Sequence, residues 1–173
     1  MKIGILQTGH VPESLFEAHG DYPGMFARFL SGHGFEFVTW NVEAGDVPDD
    51  PHAAEGWLIT GSRHGVYEDH AFIPPLEALI RAVAAAGVPM VGICFGHQII
   101  AKALGGRVEK YTGGWAVGAQ SYTIEGQEMQ LNAWHQDQVL TPPQSARTVG
   151  SSAFCAHAAL AYGNRIFTVQ PHP

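Results

Sequence analysis

The stretch Met90-Val91-Gly92-Ile93-Cys94-Phe95-Gly96-His97-Gln98 decides the fold of this chain. An apolar run leads into a cysteine that has one glycine two positions before it and another two positions after it. This pattern is typical of a nucleophile elbow, a tight strand-to-helix turn in which flanking side chains would collide with neighbouring backbone. The elbow exposes its nucleophile at the carboxyl edge of a sheet. We expect the free N–H groups at the start of the following helix to favour the thiolate of Cys94.

Around this turn, segments with strand character alternate with segments with helix character. The strand-like runs are continuously apolar, as strands buried on both faces of a parallel sheet must be. We therefore predict an α/β fold with a doubly wound, mostly parallel sheet flanked by helices. The predicted strands are residues 3–7, 35–40, 56–61, 89–94 and 165–170, and the predicted helices are residues 23–33, 74–86 and 95–104.

Two further patterns refine this fold. Between residues 108 and 139, β-prone pieces at 120–124 and 129–134 are separated by glycine turns rather than helices, which predicts a small antiparallel extension. The first predicted helix has an apolar stripe at helical spacing, and we expect the stripe to face the core. The stripe consists of Met25, Phe26, Phe29 and Leu30.

The composition narrows the class of protein. A chain of 173 residues, 46% hydrophobic and 14% charged, can bury one core, so we predict a single domain over residues 1–173. A formal net charge of -7 disfavours binding to nucleic acid or an anionic membrane, and no apolar run reaches the length of a membrane span. Two cysteines are too few for a disulfide framework, and the ten histidines show no zinc-finger spacing. We predict a reduced, cytoplasmic protein with no cofactor and no metal site.

A cysteine nucleophile needs a histidine partner, and two downstream histidines are candidates. His135 lies in the segment Trp134-His135-Gln136-Asp137, and His172 follows the last predicted strand between two prolines. A histidine at the end of a strand in a doubly wound sheet lies at the same edge as the elbow. We therefore favour His172 as the acid and base.

The elbow, taken together with Gln170-Pro171-His172-Pro173, resembles the class I (triad-type) glutamine amidotransferases, which have a flavodoxin-like fold. The resemblance spans nearly the whole chain. Residues 60–69 are similar to the family's oxyanion loop, residues 110–118 occupy the place of its glycine-rich strand, and residues 134–137 resemble its variable segment before the last strand.

The resemblance implies that Cys94 attacks the side-chain amide of glutamine, that His172 protonates the departing ammonia, and that water releases glutamate from a γ-glutamyl thioester. The backbone N–H of Phe95, directly after the nucleophile, is the expected first oxyanion donor, and that of Ser62 is the second, with Gly61 retaining the turn of the loop.

Two side chains are assigned to substrate binding. Gln98 lies one helical turn after Cys94, on the same face of the helix, and matches a family position that binds the substrate glutamine. His135 is the second candidate contact.

The chain departs from the family pattern after His172. The family has a glutamate two positions after this histidine, whereas the sequence given stops at Pro173. We expect a domain truncated at its C-terminus, with the orienting glutamate following Pro173. The alternative is that Glu68, Asp69 or Asp137 orients His172.

Three functions remain open. The first is a glutamine amidotransferase or glutaminase, whose ammonia is released or passed to a synthetase partner. The second is a γ-glutamyl peptidase on glutathione-like substrates, and the third is a catalytically inactive binding or regulatory domain on the same scaffold. A thiol variant of the α/β-hydrolases is disfavoured because the chain has no HGGG-type oxyanion motif.

Overall fold

The computed structural model describes residues 1–172, which form a mixed sheet, a small second sheet and flanking helices. A short 3-10 turn covers Val42–Ala44. The strands and α-helices, in chain order, are β1 (Lys2–Gln7), α1 (Glu13–His19), α2 (Tyr22–Phe29), β2 (Glu36–Asn41), β3 (Gly56–Ile59), α3 (Ile73–Ala86), β4 (Met90–Ile93), α4 (Phe95–Ala103), β5 (Arg107–Lys110), β6 (Ala116–Ile124), β7 (Gln127–His135), β8 (Asp137–Thr141), β9 (Arg147–Ser151), β10 (Ala159–Tyr162) and β11 (Ile166–Val169).

The large sheet has the strand order β2-β1-β3-β4-β11-β10-β9-β6-β7. Its first five strands are mutually parallel, and the remaining pairings are antiparallel. Strands β5 and β8 form the separate antiparallel pair. The predicted fold class is confirmed, but the antiparallel extension is larger than expected because β9 and β10, absent from the prediction, continue the sheet beyond β11.

Local sequence signals explain where α3 begins and ends. Prolines occupy the first turn of α3, where their missing N–H groups need no acceptor. Gly87 ends the helix with a φ of 68°, a left-handed conformation that glycine adopts without steric cost. Both signals agree with the helix predicted for residues 74–86.

The main core lies between the parallel strands and the pair of helices α3 and α4. Its fully buried side chains include Leu6, Ile59, Leu76, Ile80 and Ile99. A smaller second core fills the antiparallel half, where Cys155 packs beside Tyr122 and Val149. The two cysteines are free thiols.

The apolar stripe of the first predicted helix does not belong to the core. Helix α2 ends at Phe29 rather than near residue 33, and it has no buried residue. Phe29 is 65% exposed and Met25 is 39% exposed. The prediction is wrong because a periodic stripe shows only that a helix has an apolar face, and this face is only partly covered, with Phe26 and Leu30 half-buried.

Among the residues that the structure describes, no helix combines the length and the apolar character needed to cross a bilayer.

Candidate active site

Cys94 occupies a strained turn between β4 and α4. Its φ is 54° and its ψ is -102°, a conformation that non-glycine residues rarely adopt. The two flanking glycines are required by close backbone contacts. A Cβ on Gly92 would lie 2.5 Å from the carbonyl oxygen of Gly96, and a Cβ on Gly96 would collide with the carbonyl oxygen of Ile59. The elbow geometry expected from the sequence is therefore present.

Three adjacent strands bring the elbow, the Gly61 loop and His172 together. Strand β4 lies between β3 and β11, all three are parallel, and their carboxyl ends therefore meet at one edge. A Cβ built on Gly61 would be 3.3 Å from Cε1 of His172 and 3.8 Å from Cβ of Cys94. Cys94 and His172, the nucleophile and histidine predicted from the sequence, thus both lie next to Gly61. A side chain at position 61 would crowd both of them.

The backbone of His172 is held by the antiparallel half of the sheet. The N–H of His172 donates to the carbonyl of Asn132 at 2.8 Å, and the N–H of Asn132 donates to the carbonyl of His172 at 3.2 Å. Sequence reasoning missed Asn132, and no signal could have found it, because only its backbone takes part.

The loop after β3, expected to supply oxyanion donors, is tied to the end of β1 and to the start of α4. The N–H of Thr8 donates to the hydroxyl of Thr60 at 3.0 Å, and the Thr8 hydroxyl donates to the Thr60 carbonyl at 3.0 Å. The N–H of Gly96 donates to the same carbonyl at 3.2 Å. Ser62 lies two residues after Thr60, and its hydroxyl accepts the N–H of His64 at 3.2 Å. The loop that carries the expected second oxyanion donor is thereby fixed against the elbow.

Burial keeps both members of the central pair uncharged. It raises the pKa of Cys94 to about 12, although the N–H of Phe95 and the amide of Gln170 act in the opposite direction. Burial also lowers the pKa of His172, and the nearby His135 adds to this effect. The expectation of a resting thiolate is therefore wrong, because loss of hydration outweighs the favourable helix terminus.

Gln98 and Gln170 form a buried pair of amides near Cys94. The Gln98 Nε2 donates to the Oε1 of Gln170 at 2.9 Å and to the carbonyl of Asp137 at 3.0 Å. The amide nitrogen of Gln98 is thus committed to the protein, which leaves its oxygen as the group available to a substrate. Within residues 1–172, the Nε2 of Gln170 is buried without a hydrogen-bond partner, and its amide favours the charged form of Cys94.

Two further histidines, His97 and His135, are buried in this part of the fold. His135 donates from Nδ1 to the carbonyl of Asp137 at 3.1 Å, and its Nε2 is buried without a partner among the described residues. His97 forms a hydrogen bond through Nδ1 with the hydroxyl of Thr168 at 2.8 Å, and burial lowers the pKa of His97 to about 3. His135 lies near His172, and its role as a substrate contact stays a prediction, whereas His97 is a neutral packing residue below the elbow.

None of the three acids that were alternative orienting groups hydrogen-bonds the ring of His172 within residues 1–172. The Asp137 carboxylate accepts the hydroxyl of Tyr67 at 3.2 Å, Glu68 pairs with His70 at 2.8 Å, and Asp69 is exposed. The alternative is therefore wrong for the described residues, because each carboxylate is engaged elsewhere or faces solvent.

Tyr22, like Asn132, is a residue near the site that the sequence did not indicate. It begins α2, and burial raises its pKa, with a smaller contribution from the charge that Cys94 carries as a thiolate. Helix α2, which begins with Tyr22, packs against β1. A tyrosine in a partly exposed helix carries no local signal of such a position.

Comparisons with known proteins agree with this geometry. The family model for glutamine amidotransferase class-I matches residues 32–173. The γ-glutamyl peptidase 3 of Arabidopsis thaliana is 31% identical, over 88% of this chain and 69% of the relative, and γ-glutamyl peptidase 2 is 29% identical, over 94% and 72%. A glutamine-hydrolysing GMP synthase of Vibrio campbellii is 31% identical over 80% of this chain but only 27% of its own length.

The solved structure of a glutamine amido transferase from Methylobacillus flagellatus superposes with a TM-score of 0.83 at 25% identity. The match covers 99% of this chain and 69% of that structure. This chain and the solved structure are thus similar both in sequence and in the arrangement of their strands.

Proposed function

Because the chain belongs to the class I glutamine amidotransferase family, we propose that it hydrolyses the side-chain amide of glutamine through a γ-glutamyl thioester on Cys94. The observation that carries the proposal is the meeting of Gly61, Cys94 and His172 at one edge of the parallel sheet. A nucleophile, an acid and base, and a loop able to offer backbone N–H groups are the minimum for acyl transfer.

The first step uses the pair as neutral thiol and neutral imidazole. As the Cys94 sulfur attacks the amide carbon, His172 takes the thiol proton, and negative charge develops on the former carbonyl oxygen. The N–H groups of Phe95 and Ser62 stabilise that oxyanion. His172 then gives its proton to the departing nitrogen, and the carbon–nitrogen bond breaks to leave ammonia and the thioester.

The second step returns the enzyme to its starting state. Water attacks the thioester carbon while His172 accepts one of its protons, and the sulfur leaves as glutamate is released. The proton held by His172 returns to the sulfur, so the pair is again neutral. Gln98, through its free oxygen, and His135 contact the glutamyl group.

The carboxylate that orients the His172 ring is part of the proposal. No described acid fills this role, and the resemblance gives it to a glutamate two residues after His172. Residues 1–173 belong, in this proposal, to one amidotransferase domain. The chain would act in the cytoplasm, and a synthetase partner would receive the ammonia if it is not released.

A γ-glutamyl peptidase activity is the second candidate, and the γ-glutamyl peptidases among the relatives favour it. The same thioester forms when the leaving nitrogen belongs to an amino acid instead of ammonia. The two activities therefore differ in the space available to the leaving group, not in the roles of Cys94 and His172.

The chemistry is tested by measuring glutamate release from glutamine and from a γ-glutamyl dipeptide. Cys94→Ala should lower both rates at least about 10³-fold, because no thioester can form. Cys155→Ala is the matched control, since that thiol lies in the second core, and it should retain activity. Equal rates for Cys94→Ala and the unmutated chain would contradict the mechanism.

A glutamine analogue that carries an electrophile in place of the amide separates catalysis from a binding-only domain. Mass spectrometry should find it attached to Cys94 and not to Cys155. A folded protein that binds glutamine but is never labelled would support the inactive scaffold. The ratio of rates on glutamine and dipeptide then decides between glutaminase and peptidase.

A further inference from the structure

Two histidines and a glutamate cluster on the loop between β3 and α3, beside the oxyanion loop. One donor atom from each of His64, Glu68 and His70 lies within 4.8 Å of the other two. The Oε2 of Glu68 is 2.8 Å from Nε2 of His70 and 3.9 Å from Nδ1 of His64. Two imidazoles and one carboxylate are a donor set that binds zinc and related transition metals in proteins.

The spacing of these atoms is close to that of a coordination sphere. Bonds of about 2.1 Å in a tetrahedral zinc site place ligand atoms about 3.4 Å apart. The Glu68 to His70 distance lies below this value, and the Glu68 to His64 distance lies above it. Because the Glu68 side chain is 46% exposed, its carboxylate can turn between the two rings without disturbing the core.

His64 is already oriented as a metal ligand would be. Its Nε2 lies 2.8 Å from Oε1 of Glu43, so this nitrogen carries the proton and donates it to the carboxylate. The Nδ1 lone pair is then free on the side that faces Glu68. Metal-binding histidines usually donate their second ring N–H to such a carboxylate, which fixes the tautomer and strengthens the ligand.

The carboxylate of Glu43 also lacks a full set of hydrogen-bond partners. Its Oε2 is buried and has no hydrogen-bond partner among residues 1–172. After His64, the next basic groups are His10, 3.6 Å from Oε2, and Arg63, 4.0 Å from Oε1. A cation held by His64 would offset this partly buried negative charge.

The two histidine rings are supported by packing. Their centroids are 4.1 Å apart, and the buried ring of Phe72 lies 5.8 Å from His64 and 5.6 Å from His70. This aromatic support limits the rotations of both rings. Fewer side-chain conformations would then be lost when a ligand binds.

We propose that His64, Glu68 and His70 bind one divalent transition-metal ion such as Zn²⁺, with Glu43 as the carboxylate behind His64. No metal site is predicted from the sequence, because the ligands come from one loop with a spacing unlike that of zinc fingers. The ion would close residues 64–70 into a ring that begins two positions after Ser62. The proposal does not rest on the hydrolytic activity, since its test measures binding.

The test is a calorimetric titration of the metal-free, untagged chain with ZnCl₂, in a Cys94→Ser background that removes the competing thiol. We expect one equivalent of Zn²⁺ per chain. His70→Ala and Glu68→Gln should each weaken binding at least tenfold, and Glu43→Gln should weaken it about 10- to 100-fold by releasing His64. The matched control, His52→Ala, removes an exposed histidine from another loop and should bind as before.

Circular dichroism of each metal-free variant verifies that the fold is retained. A visible spectrum after Co²⁺ addition gives a second readout, and its ligand-field bands should be lost in His70→Ala and kept in His52→Ala. Absence of saturable one-to-one binding would overturn the proposal. Equal Zn²⁺ affinity in the ligand variants and the parent would also overturn it, since the ion would then bind elsewhere.

Discussion

At the scale of single residues, the site combines a strained backbone at Cys94 with two side chains, Cys94 and His172, that burial keeps neutral. The backbone of Cys94 has a positive φ, a conformation that costs about 1–3 kcal/mol and persists only where the surroundings impose it. Burial raises the pKa of its thiol and lowers that of His172. The two side chains therefore form no ion pair at rest, and in the proposed mechanism the proton moves only when the Cys94 sulfur attacks a substrate carbonyl.

This protonation state predicts slow alkylation of the free protein at neutral pH. Because the pKa of Cys94 is raised to about 12, its thiolate fraction stays small until the pH approaches that value. The rate of reaction with iodoacetamide, measured in a Cys155→Ala background, should rise with pH well above the midpoint of free cysteine. A midpoint near or below neutral pH would show instead that the helix terminus outweighs burial.

At the scale of elements, the geometry around Cys94 depends on how closely α4 approaches β3 and β4. Gly92 and Gly96 allow this approach because neither position has room for a Cβ. The elbow is thus a packing arrangement of three elements, and the nucleophile's conformation is a consequence of it.

A glycine substitution tests this dependence. Gly96→Ala would push its Cβ into the carbonyl of Ile59, so we expect a loss of about 1–3 kcal/mol in the free energy of unfolding together with loss of turnover. Gly24→Ala is the control, because it lies exposed in α2 with only Arg28 nearby and should stabilise the helix by up to about 1 kcal/mol. Urea unfolding of both variants measures the difference, and an unchanged Gly96→Ala protein would contradict the packing argument.

At the scale of the whole molecule, the antiparallel half of the sheet positions a residue of the parallel half. Strand β7 is the last strand of the large sheet, and its Asn132 exchanges two backbone hydrogen bonds with His172. The extension has its own small core, so it can act as a rigid support. The histidine of the site therefore depends on both halves of the fold.

Asn132 allows this dependence to be tested through the backbone alone. Its N–H and carbonyl point toward His172 and not toward the paired Ala119 of β6, so a proline there removes only the bond to His172. Asn132→Pro should lower the turnover number about 10- to 100-fold through misplacement of His172. Asn132→Ala, which keeps both backbone bonds, should remain within about twofold of the unmutated chain.

The sequence alone determined the features that a short local pattern can carry. The spacing of Gly92, Cys94 and Gly96 indicated the elbow, and apolar runs of strand length indicated the parallel sheet, because both depend on steric and burial rules within a few residues. His172 was placed correctly since the carboxyl ends of parallel strands share one edge.

Only the tertiary structure decided what depends on distant neighbours. The exposure of Phe29, the neutral thiol of Cys94 and the support of His172 by Asn132 depend on which separate segments come into contact. The cluster around His64 depends on how its own loop folds and on Glu43 from another segment. Periodicity shows that a helix has an apolar face but not what covers it. A pKa likewise depends on the hydration that remains after the whole chain has packed.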